Sequence, residues 1–235
     1  MKKLLVILSV LAILPVASAS ADTIVFTHTG SYGVSYFGTA TYSNGPFTRS
    51  YGRYAGQLML SDTTTNTDYI AYCLDMLSTL SLSQDMVLRP IADFPDGNGG
   101  DPPRYAQSGA GTKVGWLMNQ FQWGVDGDVK AAAIQLAIWE VILEPGSYGL
   151  GGGSFQVTGL SDKVSTAAST LLSGLGTSAN GIWFDGSDYY NNVNARWEVQ
   201  DYGVPVPPVP EPGSMLLLGT GLMGLAGALR RRLRK

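Results

Sequence analysis

The hydrophobic pattern of the chain falls into three zones between two apolar ends. In the first zone, residues 22–30 (DTIVFTHTG), 51–62 (YGRYAGQLMLSD) and 67–76 (TDYIAYCLDM) are short runs of β-branched and aromatic residues. Gly, Asn, Asp or Thr bounds each run, which predicts strands. The second zone changes to a helical period. Residues 112–121 (TKVGWLMNQF) predict a helix with Thr112 as N-cap. Residues 128–145 (DVKAAAIQLAIWEVILEP) predict a longer one, capped by Asp128 and stopped by Pro145. In it Ile134, Ala137, Ile138, Val141 and Ile142 mark one buried face. Residues 161–176 (SDKVSTAASTLLSGLG) give a third helix, with Ser161 as cap and Gly174 and Gly176 as breakers. The third zone, 181–186 (GIWFDG) and 195–204 (ARWEVQDYGV), returns to strands.

Strands, helices, strands in that order indicate α+β rather than alternating α/β. The expectation is one domain over 22–204, an antiparallel sheet or sandwich with an inserted helical subdomain. Residues 93–104 (DFPDGNGGDPPR) are a loop by composition.

The ends read as addresses. Residues 1–21 have a basic start (Lys2, Lys3), an apolar run from Leu4 to Leu14 and two small-residue cleavage options, Ala17-Ser18-Ala19 and Ala19-Ser20-Ala21. That is the three-part pattern of a cleaved secretory signal. At the other end, the proline-rich 205–212 predicts a stiff spacer. Residues 213–229 carry no charge and suit a short membrane-spanning helix. The basic tail 230–235 would hold its end in the cytoplasm.

Charge sharpens this picture. The net charge is −3. Without 1–21 and 210–235 the chain loses seven basic residues and one acid, which leaves eight basic residues against 17 acids, or −9. An acidic domain of this kind argues against nucleic acid as a partner. The single histidine, His28, rules out a histidine-based triad or a multi-histidine metal site. Asp93, Asp96, Asn98 and Asp101 are oxygen ligands without EF-hand spacing, and read as a solvated loop. Glu140 and Glu144, one turn apart, read as a solvated helix face. Trp116, Trp123, Trp183 and Trp197 could stack on sugars, but core packing is the commoner role. No cofactor or metal is called for.

Two residues carry candidate chemistry. Cys73, in Tyr72-Cys73-Leu74-Asp75, is the only cysteine. It is a buried small hydrophobe, half of an intermolecular disulfide, or a reactive group. Gln135 is four before Trp139 on the same side of the long helix, and by pattern alone it reads as a polar residue on the edge of an amphipathic face.

Two resemblances add to this reading. Pro210-Glu211-Pro212, an apolar segment and the cluster Arg230, Arg231, Arg232 resemble the PEP-CTERM sorting signal of Gram-negative bacteria. That resemblance implies processing by an exosortase-type membrane peptidase. The precursor would be anchored in the inner membrane and then delivered to the cell surface or extracellular matrix. Tyr72-Cys73-Leu74, together with Gln135, Ala137, Ile138 and Trp139, resembles the thioester domains of bacterial surface adhesins. Ile134 stands where that family usually has threonine. What it implies is an internal thioester between Cys73 and a glutamine, supported by Gln135 and Trp139, for covalent attachment to amines on a target. Such a protein is a single-use reagent rather than an enzyme. The acyl donor implied is Gln200 on the last strand, with Asp201 following where the family has an apolar residue. Gln156 is the other candidate. The alternative from a different class is a non-covalent exopolysaccharide- or matrix-binding structural protein with the same sorting signal and an inert Cys73.

Overall fold

A computed structural model describes residues 23–35, 39–44, 47–52, 55–63, 65–76, 83–94, 109–122, 126–185 and 200–205. The signal segment 1–21, the spacer 206–212, the apolar segment 213–229 and the tail 230–235 lie outside the described residues, as do Asp96, Asn98, Asp101, Trp123 and Trp197. Among the described residues no helix is long and apolar enough to cross a membrane.

Six strands close into a barrel. They are β1 (Thr23–Ser35), β4 (Ala55–Asp62), β5 (Thr67–Cys73), β6 (Ser83–Pro90), β8 (Ile182–Asp185) and β9 (Tyr202–Val204). The order around the barrel is β1-β4-β5-β9-β8-β6, and every pairing is antiparallel. A second sheet holds β2 (Thr39–Asn44), β3 (Phe47–Gly52) and β7 (Phe155–Thr158) in the order β3-β2-β7. The mixed α+β class expected from the zones is present. The sandwich is not: the three-residue β9 bridges β5 and β8 and closes the sheet on itself. Closure leaves the barrel without a free edge.

The barrel interior is filled by Leu58, Leu60, Ala71, Met86, Phe184, Tyr202 and Val204. Alternation puts Leu58, Leu60 and Ala71 on the inner face. Tyr72 and Leu74, with Trp183, belong instead to the larger core under the helices. At the partly exposed Tyr69, the ring meets Phe184 edge-on with centroids 5.3 Å apart.

Three helices complete the fold: α1 (Ala110–Met118), α2 (Asp128–Leu143) and α3 (Asp162–Ser173). They do not form a separate subdomain. α2 packs on β1 and β4 and between α1 and α3, and one continuous core joins helices, barrel wall and small sheet. The amphipathic reading of α2 is therefore corrected, because every residue from Ala131 to Leu143 is buried. Two caps are corrected as well. α1 is entered through Gly109 at φ 71°, and Thr112 sits inside its first turn with Oγ1 donating to the Gly109 carbonyl at 3.1 Å. Asp128 is the first residue of α2, and its N-cap is Gly127. In α3 the cap is the expected one, with Ser161 accepting from the Val164 N–H. α1 comes so close to the 178–180 segment that a Cβ on Gly115 would lie 2.4 Å from the Ser178 carbonyl oxygen. Only glycine fits there.

Candidate functional site at the barrel rim

The site forms where β5 ends and β9 begins. Pairing of β4 with β5 runs from Asp62↔Thr67 to Leu58↔Ala71 and stops two residues short of Cys73. The Cys73 peptide would then have unpaired ladder groups in the core, at a cost. The Gln135 side chain of α2 takes the missing strand's place. Its Oε1 accepts from the Cys73 N–H at 2.9 Å, and its Nε2 donates to the Cys73 carbonyl at 2.8 Å. Gln135 is thus a two-point clamp in the core rather than an edge residue, and it is 1% exposed.

On the other side, β9 pairs with β5. Tyr72 faces Gly203, Cys73 faces Tyr202, and the Leu74 N–H donates to the Asp201 carbonyl at 2.9 Å. This bond places Cys73↔Tyr202 at a non-hydrogen-bonded position, where facing side chains approach most closely. Gln200 is two residues before Tyr202 and comes to the same side. Its Nε2 donates to the Cys73 Sγ and, at 3.2 Å, to the Asp75 carbonyl. The Tyr202 hydroxyl donates to Gln200 Oε1 at 3.3 Å, and the Cys73 thiol donates to the Asp75 carbonyl at 3.2 Å. Cys73, Gln200 and Tyr202 are all buried.

Burial pushes the Cys73 thiol up to about 12, and the nearby Asp75 charge adds to the rise. Hydrogen bonding from Trp139 and Gln200 and at the Asp75 backbone offsets part of it. The sulfur is therefore a thiol, not a thiolate, at neutral pH. Burial also raises Tyr202 far above the usual phenol range, with the charges of Cys73 and Asp201 as lesser causes, so its hydroxyl stays protonated.

Gln156, the other candidate donor, is not at this site. It lies on β7 of the small sheet opposite Thr41, exposed, with its amide on the Gly153 carbonyl at 3.0 Å. Trp139 packs edge-on against Phe155, the first residue of β7, with centroids 6.5 Å apart. His28 pairs with Leu60 in the barrel ladder. Tyr202 was missed by sequence reasoning. Its spacing of two from Gln200 on a predicted strand was the available signal.

The same helix carries a second buried polar arrangement. Glu140 and Glu144, expected on a solvated face, are buried. The glycine-rich segment 146–154 crosses over them and turns its backbone N–H groups inward. Glu140 Oε1 accepts from Gly149 N at 2.5 Å, and Glu144 Oε2 accepts from Ser154 N at 2.5 Å and Phe155 N at 3.1 Å. Gly153 makes this approach possible: its φ is 88°, and a Cβ would meet the Glu144 carboxylate at 2.4 Å. Burial, with Glu144 as a further cause, holds the Glu140 carboxyl up at about 7 despite the Gly149 hydrogen bond.

The far end of the chain carries a sorting signal that implies export to the cell surface. Residues 208–232 match the PEP-CTERM protein-sorting motif, a span that contains Pro210, Glu211, Pro212 and Arg230 to Arg232. The motif implies processing by an exosortase. No curated protein and no solved structure matches the chain.

Proposed function

We propose that this exported protein forms an internal thioester between Cys73 and Gln200 and uses it once, to acylate an amine on a target surface. The observation that supports this most strongly is the seat of the Gln200 carboxamide, whose Nε2 donates directly to the Cys73 sulfur. The pair is 127 residues apart in sequence and buried in the core. A buried thiol packed by chance needs no carboxamide against it, nor a second glutamine holding its peptide at both polar atoms.

The chemistry balances within the pair. The Cys73 sulfur bonds to the Gln200 Cδ, the Cδ–Nε2 bond breaks, and the thiol proton leaves with the nitrogen as ammonia. Because burial disfavours the thiolate, sulfur attack and proton transfer to the departing nitrogen go together. The thiol proton rests on the Asp75 carbonyl, which also accepts from Nε2, so it has a short path to the departing nitrogen. In the second stage an amine attacks the Gln200 acyl carbon, an amide forms, and Cys73 returns as a thiol. Exclusion of water limits hydrolysis before a target arrives. Gln135 fixes the peptide that carries the sulfur, and Trp139 packs against it. The protein is consumed in the reaction, so it acts as a reagent and not an enzyme. Delivery to the cell surface puts the reagent where amine-bearing targets are.

Intact mass of the full chain tests this. The expected result is a mass short by one ammonia, restored as a methylamine adduct on Gln200 after treatment, and absent in Cys73→Ala. A full mass with a titratable thiol and with Gln200 unconverted to glutamate overturns it.

A further inference from the structure

We infer that the Tyr202 hydroxyl is the oxyanion donor of this site, the group that stabilises the tetrahedral intermediate both when the thioester forms and when an amine opens it. The inference rests on the thioester reading above.

Both stages send charge to the same atom. When sulfur adds to the Gln200 Cδ, the electron pair of the carbonyl moves onto Oε1. When an amine adds to the thioester carbon, it moves onto that oxygen again. In each case the pair returns as the leaving group departs, ammonia in the first stage and the Cys73 sulfur in the second. A donor aimed at Oε1 therefore lowers both barriers. The Tyr202 hydroxyl donates to that atom at 3.3 Å. It is also fixed by the fold. Tyr202 is directly opposite Cys73 in the β5–β9 ladder, and Gln200 stands two residues before it in the segment that leads into β9. The short strand β9 and the two residues leading into it thus set the distances among nucleophile, acyl carbon and donor. As the addition turns Oε1 from carbonyl to alkoxide, its longer C–O bond and full charge tighten this hydrogen bond. Burial raises its pKa and so keeps the hydroxyl protonated, and able to donate, at neutral pH.

Two other polar groups of the site are committed elsewhere. Gln135 holds the Cys73 peptide. The Asp75 carbonyl is an acceptor and holds the thiol and the departing nitrogen. Of the groups placed on Gln200 by these bonds, Tyr202 is the one that donates to the oxygen.

The test compares the full chain with its Tyr202→Phe variant, which keeps the ring and removes the hydroxyl. Loss of one oxyanion donor is expected to slow methylamine opening on the order of 10²-fold. The fraction of chains lacking ammonia should fall in parallel if formation is slowed as well. A structural role for Tyr202 would alter the thermal midpoint but not the carbonyl. Infrared spectroscopy of the wild-type thioester therefore gives a second reading that needs no variant. Its carbonyl band should lie below that of an alkyl thioester in an apolar solvent, and Tyr202→Phe should raise it.

Three outcomes are distinct. Slow opening with a raised band supports the donor role. An ammonia-deficient variant that opens at the wild-type rate, or a wild-type band at the apolar-solvent position, overturns it and leaves the thioester standing. A wild-type chain that keeps its ammonia, with Gln200 unconverted, overturns the thioester and the donor together.

Discussion

Helix α2 buries polar side chains at two places and engages them by opposite means, fully at one and, at the other, with Glu140 Oε2 left without a hydrogen bond among the described residues. At the barrel rim, Gln135 is neutral and meets both a donor and an acceptor of the Cys73 peptide. One turn and more along the helix, Glu140 and Glu144 are acids that meet only donors, the N–H groups of the segment crossing above them. A buried amide costs little once both its ends are paired, and its pairing does not change with pH. A buried carboxyl accepts hydrogen bonds best when ionised, yet burial favours its protonated form, so its state in the fold depends on pH. The rim is therefore a fixed frame, while the glycine-rich strap is tied in part by Glu140, whose carboxyl is held up at about 7.

The largest expected effect breaks the frame. Gln135→Leu keeps the volume but leaves the Cys73 N–H and C=O buried without their partner. Each unsatisfied group costs on the order of 1–3 kcal/mol, so a loss of about 4 kcal/mol is expected from urea denaturation. The loss should be the same at pH 5 and pH 8. A loss that varies strongly between those values would mean that the rim is not the neutral frame described.

The next effect sharpens the contrast at the strap. Glu140 sits at about 7 when folded, against an ordinary value of 4.5. The folded chain holds this proton more tightly than the unfolded chain does. Its contribution is therefore fully present below about pH 4.5 and is lost as pH rises through 7, by about 3 kcal/mol in all. Glu140→Gln should remove that slope, which thermal midpoints taken between pH 5 and pH 8 would read. An unchanged slope in the variant would assign the pH dependence to another group.

The smallest effect is a control outside both places. Ser161→Ala removes the side-chain cap of α3 and should cost about 1 kcal/mol. It should leave both the methylamine reaction and the pH slope as they are. A change in either would tie α3 to the rim or to the strap.

The same contrast explains what could be read from the sequence. The strands β4, β5 and β8 and all three helices were legible, because each carries its own period and its own bounding residues. Ser161 and Gly174 even fixed the ends of α3. The strands β2, β3, β6 and β7 were not read. Their sequences, such as SQDMVLRP in β6, are too mixed in polarity to show a period. Barrel closure could not be read either, since it depends on a three-residue strand whose neighbours are set by distant pairing. Glu140 and Glu144 looked like a solvated face because their partners are backbone N–H groups, which leave no mark in a side-chain pattern. Gln135 was visible as an odd polar residue, but its role came only from a resemblance. Gln200 and Gln156 were alike by pattern, and the register of β9 sets them apart.

The strand that closes the barrel is also the last piece of the domain in chain order, and the protein is exported. If it emerges from its first residue onward, β5 and β8 stand without their shared neighbour until Val204 has passed. Cys73 then waits with one flank open through almost the whole of the crossing. Gln200 and Tyr202 arrive together, as the final stretch before the sorting signal. On that route the rim is completed only when the last strand has crossed.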